Sequence, residues 1–244
     1  MLIAIGPIRF LISAAHVLDV RRDYQLVAGT RAGLVPLAGD FTRLYSTTAL
    51  SAAEDHVDVG IVRLSGAWDA VALDQFAQWL ELDHSGKILA DHTFALLGYP
   101  LTKQRDSIEG SNLVARAYRM AAVESGKRLY EQEGYDPKVN LLLGFDRRKM
   151  WGIEGPVTAP DLYGVSGGGL WRFGRRLRDT IHPPRLSGIA IEWQKRGRYK
   201  YVVGTRIEPI VASLVERYAD VHDAVRSLAR MLPNKRLKLA ARVD

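Results

Sequence analysis

The chain has 244 residues, a formal net charge of +7, 47% apolar and 25% charged residues, and no cysteine. Those proportions predict a globular fold with a substantial core, as one large or two small domains. Without cysteine, disulfides and thiolate metal sites are excluded, and no apolar run reaches the roughly 18 residues of a membrane span.

In chain order, short apolar runs bounded by turn residues predict strands at Arg9–Ser13, Gln25–Gly29, Val57–Leu64, Thr93–Gly98, Asn140–Phe145, Leu186–Trp193 and Tyr199–Gly204. The segment Leu11–Ala15 ends in small residues, as a secretory signal would. No basic stretch precedes it and Arg9 interrupts the apolar run, so it reads as strand plus turn. Val71, Phe76, Trp79 and Leu80 are spaced for a helix over Ala70–Leu80. Ser111–Glu133 is polar and rich in Arg and Glu, and leaves helix and long loop both open. Ile210, Leu214, Val215, Tyr218, Val221, Val225 and Leu228 predict one helix over Ile207–Met231. Pro233 stops it, and residues 232–244 form a basic tail expected to be disordered. Many short strands with Gly and Pro turns mean an all-β sandwich or a pair of barrels.

Three segments carry chemistry. In Ser13-Ala14-Ala15-His16 the histidine follows an apolar strand and two small residues, which leave room for a general base to approach a nucleophile. In Asp58-Val59-Gly60-Ile61-Val62-Arg63-Leu64 a carboxylate opens a strand, where it can accept an imidazole N–H and fix the tautomer. Asp55, three residues earlier, is its nearest competitor. In Gly164-Val165-Ser166-Gly167-Gly168-Gly169 a serine sits in a tight glycine turn that exposes its hydroxyl and lets backbone approach a substrate closely. That last segment also satisfies G-x-S-x-G, the nucleophile elbow of α/β-hydrolases, with Asp179 and His182 or Asp220 and His222 as nominal partners. An elbow needs a strand before and a helix after. Here two prolines break Pro156–Tyr163, and Gly169–Phe173 reads as strand.

Together, and in the order His, Asp, Ser, these segments resemble the trypsin-like (chymotrypsin-fold) serine peptidases, especially small bacterial ones. Phe94–Pro100 resembles the first strand of that family's second barrel. Leu186–Trp193 resembles the strand that pairs with substrate backbone, and Val203–Ile207 the last strand before the terminal helix. The likeness runs in scattered motifs from about Phe10 to Leu214. It implies an all-β fold of two six-stranded-type antiparallel β-barrels with a C-terminal helix. Residues 1–92 would carry His16 and Asp58, residues 93–206 Ser166, and residues 207–231 the helix. Only fifteen residues precede His16, so the first barrel is expected to be truncated, with Ile3–Ile8 standing in for its first strand.

The resemblance further implies that Ser166 is the nucleophile, His16 general base and then acid, and Asp58 the residue that orients His16. The N–H groups of Gly164 and Ser166 would form the oxyanion hole. Pro160, Asp161, Tyr163, Glu192 and Trp193 would line the substrate pocket. Pro160 stands where trypsin itself has Asp, six residues before the serine, and Trp193 where the family often has Gly. Val165 replaces the usual Asp or Asn before the serine, and Gly169 the usual Pro after the glycine pair. Val165 cannot pair with a newly cut N-terminus, so no zymogen switch is expected.

A protein or peptide substrate is the expected partner, with no metal, cofactor or membrane, in a cytoplasmic setting. Ten Lys or Arg against Asp179 and Glu192 between Trp171 and Arg206 read as solvated hairpin loops, since no nucleic-acid motif accompanies them. His84 and His92 lack a third ligand, and Gly126-Lys127 lacks the upstream glycine of a phosphate loop. The reading from another class is a catalytically silent fold of the same kind that binds a protein partner.

Overall fold

A hairpin opens the chain in the computed structural model. β1 (Leu2–Ile5) pairs antiparallel with β2 (Ile8–Ala14) across Gly6-Pro7, where Gly6 takes φ +58°. The structure describes residues 1–30, 33–45, 56–65, 78–79, 93–98, 108–109, 112–113, 118–145, 150–152, 155–158, 161–173, 185–196 and 199–231. A single helical turn, α1 (Ala15–Leu18), follows β2 and runs into a 3-10 turn, Asp19–Arg22. β3 (Val27–Thr30) and β4 (Gly33–Pro36) form a separate ribbon. β5 (Gly39–Leu44), β6 (Val59–Leu64) and β7 (Gln78–Trp79) complete a five-stranded sheet in the order β5-β6-β2-β1-β7.

The second half of the chain closes on itself. β8 (Thr93–Gly98), β11 (Tyr118–Glu124), β12 (Asn140–Phe145), β15 (Gly169–Phe173), β16 (Arg185–Arg196) and β17 (Tyr199–Arg206) form a barrel in the order β11-β12-β17-β16-β15-β8. Two short ribbons interrupt its connections. One pairs β9 (Ile108–Glu109) with β10 (Asn112–Leu113), the other β13 (Met150–Gly152) with β14 (Gly155–Val157). α2 (Lys127–Glu133) lies between β11 and β12 and ends at Gly134, whose φ of +74° is the left-handed stop that glycine supplies cheaply. α3 (Ile207–Arg217) and α4 (Ala219–Met231) end the described chain.

The barrel strands read as near-continuous apolar runs because both of their faces are buried. Leu141, Leu143, Ala190 and Val202 point into the barrel interior with Leu96, Met120 and Leu170. Their neighbours Leu142, Ile189, Ile191, Tyr201 and Val203 point outward into a second core. That core also holds Ile3, Phe10, Ile12, Val59 and Ile61 of the N-terminal sheet, and Ile207, Ile210, Leu214 and Val221 of the two helices. One seam of side chains therefore fastens the sheet to the barrel, and the strand period of two divides each run between the two cores.

Several expectations need adjusting. A mostly β fold with a closed six-stranded antiparallel barrel is present, but no second closed barrel forms among the described residues, where the N-terminal strands make an open sheet. Gln78–Trp79, expected within a helix over Ala70–Leu80, is a strand parallel to β1; the rest of that segment lies outside the described residues. Within Ser111–Glu133 the chain makes strands β10 and β11 and helix α2. Glu124 and Tyr130 drive this by tertiary bonding. The Tyr130 hydroxyl donates to Glu124 at 3.0 Å and accepts from the Leu142 N–H at 2.9 Å, while Glu124 also pairs with Arg206. The single C-terminal helix is two, broken at Tyr218 (φ −122°, ψ 111°). The Tyr218 ring lies 6.0 Å from Phe10 and beneath the Arg63 guanidinium at 4.9 Å, and its hydroxyl bonds Thr42. Those contacts pull the residue out of helical conformation. The tail 232–244 lies outside the described residues.

Candidate active site

His16 enters the site on α1, whose approach is cut from small residues. Ala14 and Ala15 are fully buried, and the α1 turn lies directly over Gly60 of β6. A Cβ at Gly60 would stand 3.1 Å from Ala15 Cα and 3.0 Å from Leu18 Cδ1, so the small residue in the Asp58 segment is what lets the His16 turn settle on its strand. Asp58 immediately precedes β6. It is the one non-glycine residue with positive φ among the described residues, at +34°. This conformation is uncommon for side-chain-bearing residues.

Several bonds hold Asp58 there. Its carbonyl accepts the Ala15 N–H at 2.8 Å, and its Oδ1 accepts the His16 N–H at 3.3 Å. Its Oδ2 stands 2.5 Å from His16 Nδ1. An ionised carboxylate can only accept, so Nδ1 carries the proton and Nε2 is left as the base. The His16 side chain is 52% exposed and that of Asp58 14%. The base therefore faces solvent, while the group that orients it is shielded.

The bond to Asp58 raises the His16 pKa above the ordinary value near 6.5, with partial burial and Arg43 opposing. A base must be neutral to act, so any reaction that uses His16 as its base should slow as pH drops through a midpoint above 6.5. Stability should run the other way. A raised folded-state pKa contributes stability fully present below the unfolded value and lost as pH rises through the folded one. The thermal midpoint of the protein relative to His16→Ala, measured from pH 5 to 9, should accordingly shrink with rising pH.

Ser166 arrives from the barrel. The turn before β15 uses Gly164 at φ +80° and Gly167 at φ +85°. The Gly167 N–H donates to the Ala190 carbonyl at 2.7 Å, and the Ala190 N–H returns to the Gly168 carbonyl at 2.8 Å. Val165 is buried in the barrel interior against Gly98, where an added Cβ would approach Val165 Cγ2 to 2.6 Å. Apolar packing thus anchors the residue before the serine. Gly167 lies on Ser13: a methyl there would overlap Ser13 Oγ and stand 3.2 Å from Ser13 Cβ. Ser13 is three residues from His16, so the Ser166 turn docks on the strand that leads to His16.

The structure does not join Ser166 and His16 by a hydrogen bond. Among the described residues the Ser166 hydroxyl, and the N–H groups of Gly164 and Ser166, have no hydrogen-bond partner. Gly169 begins β15, which makes the segment after the serine a strand, as the elbow alternative does not allow.

The expected pocket residues separate into groups. Tyr163 and Trp193 meet edge to face, 5.8 Å between centroids at 89°, beside Gly164. Just before Glu192 the β16–β17 register shifts, leaving Ile191 without a partner in the ladder, an irregularity of the kind that re-aims side chains. The Glu192 carboxyl is held above the usual range chiefly by loss of water, with Asp58 reinforcing and His56 and His16 opposing. Asp161 is half-buried two residues before Tyr163. Pro160 and the competitor Asp55 lie outside the described residues, as do His84, His92, Asp179 and His182. Asp220 is paired with Arg63 at 2.5 Å.

Sequence reasoning missed Arg43 and Asp19. Arg43 donates to Asp58 Oδ1 at 3.2 Å and to Asp19 Oδ2 at 3.1 Å. Only the β5–β6 register, which sets Arg43 opposite Gly60, brings it to Asp58.

No protein-family model matches this chain, and a search of curated proteins finds no matching sequence. Among the described residues no helix is long and apolar enough to cross a membrane, and no group of three or more His, Asp or Glu is placed to hold a metal ion.

Proposed function

We propose that this protein is a trypsin-like serine endopeptidase. The observation that carries the reading is the seating of the Ser166 turn on Ser13, beside a His16–Asp58 pair whose bonding leaves Nε2 free to accept a proton. Ser166 Oγ attacks the peptide carbonyl carbon as its proton passes to His16 Nε2. The developing oxyanion takes the N–H groups of Gly164 and Ser166, whose glycine-turn backbone leaves them unpartnered. Loss of one such donor typically costs about 2.7–4 kcal/mol. The imidazolium then gives its proton to the leaving amine, the acyl-enzyme remains on Ser166, and water assisted by His16 releases it. Tyr163, Trp193, Asp161 and Glu192 would contact the substrate chain. The reaction calls on no metal or cofactor, and the substrate is a peptide or protein.

A fluorophosphonate probe tests this directly. Covalent labelling, mapped to Ser166 by mass spectrometry of the purified protein, is the expected result. A folded protein that does not label would replace this reading with that of a silent, protein-binding fold.

A further inference from the structure

The Asp58 carboxylate is gripped from behind as well as from the front. Arg43 reaches it from β5 with a side chain only 17% exposed, and its other terminal nitrogen is held by Asp19. Asp19 opens the 3-10 turn that continues directly from α1, three residues after His16. Arg43 therefore ties together the strand β5, the segment carrying the base and the residue that orients the base. Its guanidinium lies over the Tyr45 ring at 5.5 Å, and its Nε is buried without a partner among the described residues. The guanidinium fork is rigid and planar, suited to bridging two carboxylates in fixed directions.

We propose that Arg43 and Asp19 act as a positioning pair for the His16–Asp58 dyad. Arg43 fixes the Asp58 carboxylate, and with it the left-handed backbone at Asp58, in the orientation that presents Oδ2 to Nδ1. Arg43 alone would also drain negative charge from Asp58 and oppose the imidazolium that forms when His16 takes a proton. Asp19 cancels that charge, so the clamp supplies geometry at little net electrostatic effect. Arg21 and Arg22 approach the other oxygen of Asp19, Oδ1, at 3.7 and 3.8 Å, too far to hydrogen-bond it. Among the described residues, Glu192 from β16 also interacts with the dyad and with His56.

The kinetic part of this inference rests on the peptidase reading; the titration of His16 does not. The test is the His16 imidazole titration followed by NMR, assigned with His16→Gln, in wild type, Arg43→Met, Arg43→Lys and Asp19→Asn. Removing the cation should raise the His16 pKa by about one unit, and removing the anion should lower it by a similar amount. Arg43→Lys keeps the charge but not the fork, and should leave the pKa near that of wild type while hydrolysis falls about tenfold or more. The acid limb of the rate profile should move with each titration. A purely structural role would not shift the two midpoints in opposite directions. If Arg43→Met fails to fold, Asp19→Asn and Arg43→Lys still decide the matter. Unmoved midpoints in folded Arg43→Met and Asp19→Asn, shifts of the same sign in those two, or full hydrolysis in Arg43→Lys would overturn the proposal. Opposite shifts in a wild-type protein that hydrolyses nothing would uphold the clamp and remove the peptidase reading.

Discussion

Asp58→Asn should lower peptide hydrolysis near neutral pH by about 10⁴-fold while leaving the protein folded. The size of the loss follows from which oxygen survives. Arg43 and the His16 N–H both donate to Oδ1, so that position must remain an acceptor. The new amide nitrogen is forced onto the Oδ2 side, 2.5 Å from His16 Nδ1 in the native arrangement. It can only donate there. Nδ1 must then be the acceptor, the proton moves to Nε2, and the imidazole can no longer take one from Ser166. The backbone has no objection, because Asn tolerates the left-handed region at least as well as Asp. Steady-state hydrolysis paired with a thermal midpoint separates the two effects. Activity within tenfold of wild type would mean that Asp58 does not set the tautomer.

Gly167→Ala should be damaging both to stability and to turnover. A side chain at φ +85° costs about 1–2 kcal/mol by conformation alone. The methyl would also press on Ser13, which is buried on β2. Overpacking of that kind adds about 1–3 kcal/mol. The total corresponds to a drop of about 10 °C in thermal midpoint for a chain of this size. Relief is available only by lifting the Ser166 turn from the sheet, and misplacement by about 1 Å can cost a hundredfold in rate. Gly134→Ala is the matched control. It has φ +74° but open space around its Cβ, so it should lose only the conformational part and no activity. Equal behaviour of the two variants would refute the seating of the nucleophile turn on Ser13.

Three barrel strands, Thr93–Gly98, Asn140–Phe145 and Gly169–Phe173, have the bounds that their apolar runs predict. Burial on both faces makes such runs continuous, and glycine or polar residues end them sharply. The pairing of His16 with Asp58 and the glycine turn at Ser166 were also legible, because each sits in a local setting of small or glycine residues that the structure explains by close approach. What was not legible depends on partners far along the chain. Tyr218 fits the helical spacing of Ile207–Met231, and only Phe10, Thr42 and Arg63 show why the helix breaks there. Arg43 lies in Phe41-Thr42-Arg43-Leu44, an ordinary edge-strand sequence, and acquires a role only through strand register.

The seam between sheet and barrel also orders events during synthesis. His16 follows β2 and Asp58 precedes β6 of one sheet, 42 residues apart, so the two strands that bring them together are both made early. The surface on which the Ser166 turn is bonded, Ala190, belongs to β16, and β16 is held in the barrel by β17, which ends at Arg206. On the proposed function, the ribosome would thus release a base-and-acid pair long before the nucleophile has a place to sit. A growing chain would carry no working protease until β17 had been translated, which spares its own unfolded segments from being cut.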